Sequence, residues 1–343
     1  MPTMESRRHF LTQLATVGFA GLGSLPLVGR RSFTAEPPPE VTTIRLEKAP
    51  VTCIVPQYAA EELLHAEGFA DVRWVELSAT DTPARAVAQR RLDWDLEFTP
   101  EVIAALGNGE SVTMVAGVHV GCFELFAQEH VRTIAGLKGR TVGLSPGYLV
   151  SISAAKNLVS LMAKNVGLDP SRDIRWLSDT TTDLRDLFND GKIDAFLSLP
   201  PEAQELRDRK IGHSILNSTV DRPWSQYFCC MLIGRTEFVQ KYPVATKRIV
   251  RAILKATDLC ASEPERVARL MVERGFTPSY DYALQSLQEL GYRVWRDYDP
   301  EDTVRFYALR MNEVGLTKVV PQQIISEHTD WRFLNEVKRE LKA

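Results

Sequence analysis

Short apolar runs alternate with amphipathic stretches along most of the chain. Residues 112–120 are an apolar run of strand length, and residues 72–77 alternate with the period of two typical of a half-buried strand. Residues 94–98 are also predicted to form a strand, on which Asp95 and Glu97 alternate. From Ile152 to Val166, apolar residues instead recur at steps of three and four, which predicts a helix with one buried face. This order of elements predicts an α/β protein with mixed, mostly parallel sheets and helices on both faces.

The same pattern predicts two lobes. The run from Cys122 to Ala127 is expected to continue the sheet that contains residues 112–120, after which the pattern breaks near Gln128 and returns near Tyr227. We expect a discontinuous lobe 1 and an inserted lobe 2, made of residues 36–127 with 227–343 and of residues 128–226, respectively. Ligands of open α/β sheets bind beyond the carboxyl ends of the strands, so a cleft between the lobes is the expected site.

The first 35 residues have the features of an export signal. Ser6-Arg7-Arg8-His9-Phe10-Leu11 fits the twin-arginine pattern, and a mild apolar stretch follows as far as Val28. We expect residues 1–35 to be a twin-arginine signal peptide and the protein to work in the periplasm. The alternative is a signal that stays uncleaved as a membrane anchor, although its glycines make a weak spanning helix.

The bulk composition limits the class of partner. The chain has 343 residues, 44% hydrophobic and 25% charged, with a formal net charge of -3. Residues 1–35 hold four arginines and one glutamate, so the remainder is more acidic still. A mildly acidic chain without a basic run is a poor nucleic-acid binder, and we expect no nucleic-acid partner.

The five cysteines are Cys53, Cys122, Cys229, Cys230 and Cys260. An odd number cannot pair completely, and no C-x-x-C spacing typical of zinc or iron–sulfur sites is present. We therefore interpret most of them as small buried apolar residues, with Cys260 on an apolar helical face. The sequence predicts no metal site and no cofactor.

Several segments together resemble a known family. These segments are Gly121-Cys122-Phe123-Glu124-Leu125-Phe126, Leu137-Lys138-Gly139-Arg140-Thr141-Val142-Gly143, Gly191-Lys192-Ile193-Asp194-Ala195 and the run from Asp221 to Cys230. In this order the chain resembles ABC-transporter solute-binding proteins of the nitrate/taurine type, which are related to sulfonate binders and thiamine-pyrimidine binders. The resemblance implies a two-lobed type II periplasmic binding protein that delivers a small molecule to a membrane permease and its ATPase, and contacts the membrane only through that permease or an uncleaved signal.

Candidate ligand-binding residues lie at strand ends, helix starts and chain crossings. They are Cys53, Pro56, Gln57, Asp95, Glu97, Thr99, Gly121, Glu124, Ser145, Tyr148, Ser151, Ser153, Ser198, Pro200, Glu202, Trp224, Gln226 and Tyr227. Each group also has a structural interpretation: a turn around Cys53, helix caps for the serines, a crossover salt bridge for Glu124, and lobe packing for the aromatic pair. The resemblance favours ligand binding for the loop that contains Ser145 and Tyr148.

The acidic candidates indicate the character of the ligand. Asp95, Glu97, Glu124 and Glu202 argue against nitrate and sulfonates, since anions are bound by Arg, Lys or helix N-termini. We expect a small neutral or cationic solute, heteroaromatic compounds included.

An enzyme is the main alternative, because the related thiamine-pyrimidine precursor synthases are catalytic. The six histidines show no metal-binding spacing, and the chain lacks a nucleophile elbow, a phosphate loop and G-x-G-x-x-G. His119 and Cys122 form an H-x-x-C pair, but on a strand their side chains would point to opposite faces. We predict a binding protein and not an enzyme, with a ligand-sensing receptor partner as a further alternative.

Overall fold

The computed structural model describes residues 36–49, 51–78, 81–144, 152–178 and 183–342. Residues 38–343 form one compact unit. The predicted signal peptide, residues 1–35, lies outside the described residues. Among the described helices, none combines the length and the apolar character needed to cross a membrane.

The strands of the described residues form two five-stranded sheets. In chain order they are β1 Thr43–Glu47, β2 Asp71–Val75, β3 Trp94–Phe98, β4 Val112–Val120, β5 Glu124–Ala127, β6 Arg140–Leu144, β7 Ile174–Ser178, β8 Ala195–Ser198, β9 His213–Asn217 and β10 Phe228–Arg235. The first sheet has the order β2-β1-β3-β10-β4, and the second has the order β7-β6-β8-β5-β9.

One strand in each sheet runs against the others. In the first sheet, β10 lies antiparallel between β3 and β4, with Leu232 opposite Leu96 and Ala116. In the second, β5 lies antiparallel between β8 and β9, with Phe126 opposite Phe196. The remaining strands of each sheet share one direction. The predicted α/β architecture with mixed, mostly parallel sheets is confirmed.

Helices cover the sheets. They are α1 Val55–Ala59, α2 Glu61–Ala66, α3 Pro83–Ala88, α4 Thr99–Gly107, α5 Ile152–Asn165, α6 Leu184–Asn189, α7 Glu202–Asp208, α8 Thr236–Lys241, α9 Pro243–Ser262, α10 Pro264–Glu273, α11 Tyr280–Glu289, α12 Pro300–Glu313, α13 Pro321–His328 and α14 Arg332–Glu340. Short 3-10 helices occupy Ile134–Leu137, Trp224–Gln226 and Val294–Arg296. Proline opens several of these helices, where its missing N–H is not needed.

Burial explains why the strands and helices could be predicted from the pattern of apolar residues. All nine residues of β4 are buried, and its sequence is accordingly a continuous apolar run. In α9, the buried positions include Ile249, Ile253, Thr257 and Cys260, spaced at three and four residues along one face.

The chain passes between the sheets twice. It leaves the first sheet after Val120 and enters the second at Glu124, and it returns between Asn217 and Phe228. The run from Cys122 to Ala127, expected to extend the first sheet, therefore supplies β5 to the second. The reason is local: Gly121 has φ 71° and Cys122 has φ 132°, so the backbone turns out of the extended line of β4.

Candidate functional site

The carboxyl ends of β1, β3 and β4 meet at one edge of the first sheet. Because β10 is antiparallel, its first residues lie at the same edge, where Cys230 pairs with Phe98 and with His119. The loop after β1 brings Thr52 and Cys53 beside them, both buried. We call this region the strand-end edge; it is the position at which open α/β sheets bind ligands.

Four buried cysteines form a cluster at the strand-end edge. This thiol cluster consists of Cys53, Cys122, Cys229 and Cys230, all free and at most 2% exposed. The sulfur atoms of Cys53, Cys122 and Cys230 lie within 4.8 Å of one another, and Sγ of Cys122 lies 2.6 Å from Sγ of Cys229. Cys260 instead belongs to the buried face of α9. Residues far apart in sequence thus supply one group of soft donor atoms.

Hydrogen bonds within the thiol cluster raise the pKa of one thiol, Cys122, and lower that of another, Cys229. Burial raises the pKa of Cys122 well above its ordinary value, and its hydrogen bonds to Cys229 and Cys230 raise it further. Burial is the largest single influence on Cys229 and raises its pKa, but hydrogen bonds from Cys122 and Cys230 together outweigh burial, and the pKa of Cys229 falls to about 7. The cluster therefore favours a thiolate at Cys229 beside a protonated Cys122.

His119, at the end of β4, lies beside the thiol cluster. It is fully buried, its Nδ1 lies 3.3 Å from the carbonyl oxygen of Val120, and its ring meets that of Tyr292 edge-on with centroids 5.3 Å apart. Nε2 has no hydrogen-bond partner among the described residues. Burial lowers the pKa of His119, but the charge of Cys230, the polar interaction of its thiol with the ring and the charge of Cys53 together more than compensate and raise this pKa to about 9.

The expectation that His119 and Cys122 point apart is not met, because both side chains interact with Cys53. The positive φ values at Gly121 and Cys122 end the strand's alternation before Cys122. The H-x-x-C pair is thus part of one buried group.

Three carboxyl groups adjoin the thiols: Asp95 and Glu97 are buried, and Glu47 is partly buried. Burial raises the pKa of Glu47 to about 7, and it raises the pKa values of Asp95 and Glu97 well above their ordinary range. Neither carboxylate oxygen of Asp95 has a side-chain hydrogen-bond partner among the described residues, whereas Glu97 accepts from the backbone N–H of Phe98 at 2.8 Å. This concentration of buried acid favours neutral carboxyl groups unless a positive group is bound nearby.

Helix α4 links the strand-end edge to the helices of the second sheet. Its first residue, Thr99, donates to the carbonyl oxygens of Phe228 and Cys229 at 3.1 and 3.2 Å, a structural role. Glu101, two residues further along α4, accepts from Nδ2 of Asn157 at 3.1 Å and from Ser153, both on α5. Ser153, one of the predicted site residues, therefore contacts a carboxylate on α4, a helix that packs against the first sheet.

The loop of Cys53 also reaches the second sheet. Pro56 and Gln57 are buried in α1, and Gln57 donates from Nε2 to the carbonyl oxygen of Glu47 at 2.8 Å. The N–H of Thr52 donates to the carbonyl oxygen of Pro200 at 3.4 Å. Pro200 lies two residues after β8, so the segments that follow β1 and β8 contact each other.

At the same end of β8, the hydroxyl of Ser198 donates to Glu202 at 2.8 Å. Burial raises the pKa of Glu202, although this hydrogen bond opposes the shift. The two predicted site residues thus form one pair at the end of the second sheet.

Two ion pairs that share Arg207 lie at the first crossing. Glu124 is buried and lies 3.6 Å from the guanidinium of Arg207, which also reaches Glu289 of α11 at 2.5 Å. Burial raises the pKa of Glu124 and the charge of Arg207 opposes that shift. The salt bridge considered for Glu124 is present and joins β5 to α7, and the second ion pair of Arg207 joins α7 to α11.

The aromatic residues of the second crossing pack against α12. Trp224 is 2% exposed and meets Phe306 and Tyr307, and Tyr227 stacks on Phe306 with centroids 3.9 Å apart. Gln226 between them is exposed. These contacts give both rings a packing role at the return to the first sheet.

The strand-end edge thus brings together the predicted residues Cys53, Asp95 and Glu97, with Gly121 and Thr99 next to them. Ser145, Tyr148 and Ser151 lie outside the described residues. Residues that sequence reasoning did not name as site residues are Glu47, His119, Cys122, Cys229 and Cys230. Two sequence signals could have pointed to some of them: the adjacent cysteines at the start of a strand, and the H-x-x-C pair of His119 and Cys122.

Comparison with known proteins places the chain in a family. The model of the NMT1-like family matches residues 37–273. The chain belongs to the NMT1-like family. No curated protein matches it in sequence.

Several solved structures share the fold of this NMT1-like protein. The periplasmic nitrate-binding protein NrtA from Synechocystis PCC 6803 aligns with a TM-score of 0.73 at 16% identity, over 88% of this chain and 90% of that one. A putative periplasmic sulfonate-binding protein SsuA from Methylobacillus flagellatus KT aligns at 0.65 and 18% identity, over 89% and 96%. The desulfurization enzyme DSZB aligns at 0.60 and 15% identity, over 87% and 99%. The predicted fold, that of type II periplasmic binding proteins, is confirmed.

Proposed function

We propose that this NMT1-like protein is the extracytoplasmic solute-binding component of an ABC import system. It would capture a small molecule and deliver it to a membrane permease with its ATPase. The observation that carries this proposal is the meeting of the strand ends of both sheets, Thr52 against Pro200, beside a buried group of polar side chains. Structural relatives described as nitrate-binding and sulfonate-binding support it.

We infer that each sheet is the core of one lobe. The boundaries expected from the sequence are kept, except that β5 joins the inserted lobe because it pairs with β8 and β9. Contacts between groups on different sheets, such as Glu101 with Asn157 and Arg207 with Glu289, would then be contacts of a closed form. Hinge closure predicts that solute reduces the radius of gyration in X-ray scattering; an unchanged radius at saturation would contradict it.

The described part of the edge favours a cationic or hydrogen-bond-donating solute. Glu47, Asp95 and Glu97 are acids, and Arg207 is already engaged by Glu124 and Glu289. A positive group entering beside Asp95 would supply the partner that its carboxylate lacks among the described side chains. We therefore propose an amine or a heteroaromatic base as the solute class, in contrast to the anions named for the structural relatives.

We propose periplasmic location through the twin-arginine segment at residues 6–11, which cell fractionation would test directly. A binder is favoured over an enzyme because structural relatives with the higher TM-scores are described as nitrate-binding and sulfonate-binding proteins. DSZB demonstrates that this fold also supports catalysis, so turnover of the bound solute is the observation that would require revision.

A thermal-shift screen followed by calorimetry tests the solute class. The probes are primary amines and aminopyrimidines on one side, and nitrate and taurine on the other. We expect at least one cationic probe to raise the melting temperature, since a ligand bound only by the native state stabilises it. Asp95→Asn should weaken that probe at least tenfold, whereas Asp302→Asn, on the exposed start of α12, should not. Tight binding of nitrate or taurine with none for amines would overturn the proposed class.

A further inference from the structure

We propose that the thiol cluster, together with His119, binds one thiophilic metal ion of the Cu(I) or Zn(II) class. This site goes beyond solute capture, and its failure would leave the transport proposal intact. The sequence predicts no metal site, because the spacing of its cysteines matches no zinc pattern. The proposed site contradicts that expectation.

The sulfur positions fit a single ion. Thiolate sulfur lies about 2.3 Å from Zn(II), so three sulfurs sharing one ion in a plane are about 4 Å apart. The sulfur atoms of Cys53, Cys122 and Cys230 already lie within 4.8 Å of one another. Shifts of well under 1 Å in each side chain would therefore complete a three-sulfur site.

The backbone holds these three sulfurs from different elements. Cys53 comes from the loop after β1, Cys122 from the turn after β4, and Cys230 from the start of β10. Cys122 has φ 132°, a conformation that a residue with a Cβ atom rarely adopts. This unfavourable backbone directs the thiol of Cys122 toward the other two instead of along the strand.

Cys229 and His119 are the candidates for a fourth donor, although the group of donor atoms that all lie within 4.8 Å of one another contains neither. Sγ of Cys229 lies 2.6 Å from Sγ of Cys122, less than the roughly 3.8 Å between two sulfurs that share one zinc ion, so Cys229 would have to move away from Cys122 to join the site. His119 is fully buried, and its Nε2 has no hydrogen-bond partner among the described residues. A buried nitrogen without a partner is costly, and coordination would satisfy it.

The donor types select the metal class. Thiolate and imidazole prefer Cu(I) and Zn(II), whereas Ca²⁺ and Mg²⁺ prefer oxygen. A cation would also compensate the negative charge of buried thiolates, which is otherwise expensive in an apolar surrounding. The alternative is that Cys122 and Cys229 form a disulfide after export, since oxidising compartments favour disulfides.

Metal binding to the full chain, purified under reducing and anaerobic conditions, tests the site. Zn(II) and Cu(I) are each titrated against a coloured chelator, and bound metal is measured by mass spectrometry. We expect one equivalent of at least one of these ions and a sulfur-to-metal charge-transfer band with Cu(I) or with Co(II) in place of zinc. Cys53→Ser and Cys230→Ser should each weaken binding at least 100-fold, whereas Cys260→Ser, the buried cysteine of α9, should bind as the wild type does.

Folding of the variants is checked separately. Bound metal should raise the melting temperature of the wild type and of Cys260→Ser but not of Cys53→Ser. Less than one tenth of an equivalent of both ions in reduced wild-type protein would overturn the proposal, as would equal affinity in all three cysteine variants. Isolation of a Cys122–Cys229 disulfide, with no metal bound after its reduction, would overturn it as well. Solute titrations on the same samples report on transport independently.

Discussion

Gly121→Ala is expected to destabilise the protein by separating the two chain crossings. Gly121 lies between β4 and β5 with φ +71°, a left-handed conformation. A Cβ atom added there would lie 2.6 Å from the Cα atom of Thr219, on the return crossing, and closer still to its hydroxyl. Because the obstacle includes backbone, no side-chain rotation removes it.

The size of the effect has two parts. The left-handed conformation costs an L-residue about 1–2 kcal/mol, and overpacking against a fixed neighbour adds about 1–3 kcal/mol. Alanine also has less conformational entropy than glycine in the unfolded chain, and this difference offsets the loss of stability by about 0.4–1 kcal/mol. The free energy of unfolding should therefore fall by about 3 kcal/mol, between limits of about 1 and about 4.6 kcal/mol.

Gly109→Ala is the matched control. Gly109 has φ +86° with nothing within 4 Å of an added Cβ, so this variant carries the conformational cost alone, about 1 kcal/mol. Urea unfolding of both variants, followed by tryptophan fluorescence and circular dichroism together, gives the difference when the two probes coincide. Equal losses in the two variants would refute the close approach of the crossings.

Two further predictions concern buried acids. Arg207→Met should lower the free energy of unfolding by about 1–3 kcal/mol, because it leaves Glu124 buried without its cation. In urea unfolding at neutral pH, adding Glu124→Gln to this variant should recover at least half of the loss. Strictly additive losses in the double variant would contradict the pairing. The folded protein retains the proton of Glu47 up to about pH 7, whereas the unfolded chain releases it near the ordinary 4.5, so wild-type stability falls over that interval. In chelator-treated protein, Glu47→Gln should be more stable than the wild type by about 3 kcal/mol at pH 8 and equally stable below pH 4.5. A difference in stability that is constant across pH would show that the raised pKa of Glu47 is not its cause.

The strands and the long helices could be predicted from sequence because burial on fixed faces leaves a period. Strand β3 was predicted at its observed bounds, and β4 was visible as an apolar run since both of its faces are covered. The assignment of residues 122–127 failed for a different reason. Two residues with positive φ redirect the chain there, and only one of them, Gly121, is a type that suggests it.

The site was predictable only where it follows a strand directly. Asp95 and Glu97 were identified because they alternate on a strand whose faces are buried. The thiol cluster could not be inferred, because it depends on β10 inserting between β3 and β4 and thereby bringing Cys230 beside His119. Sequence spacing contains no information on that pairing. Likewise, only the position of α12 shows that Trp224 is occupied with Phe306 and Tyr307.

The place of β10 in the first sheet constrains the order of assembly during synthesis. Strands β3 and β4 emerge from the ribosome early, but the strand that separates and joins them begins only at Phe228, after the whole second sheet has been made. Contacts of such long sequence separation form slowly, and until then two hydrophobic strands have unpaired edges. A nascent chain of this design would therefore depend on chaperones during that interval, and truncation before residue 228 should yield an aggregating product instead of a smaller folded one.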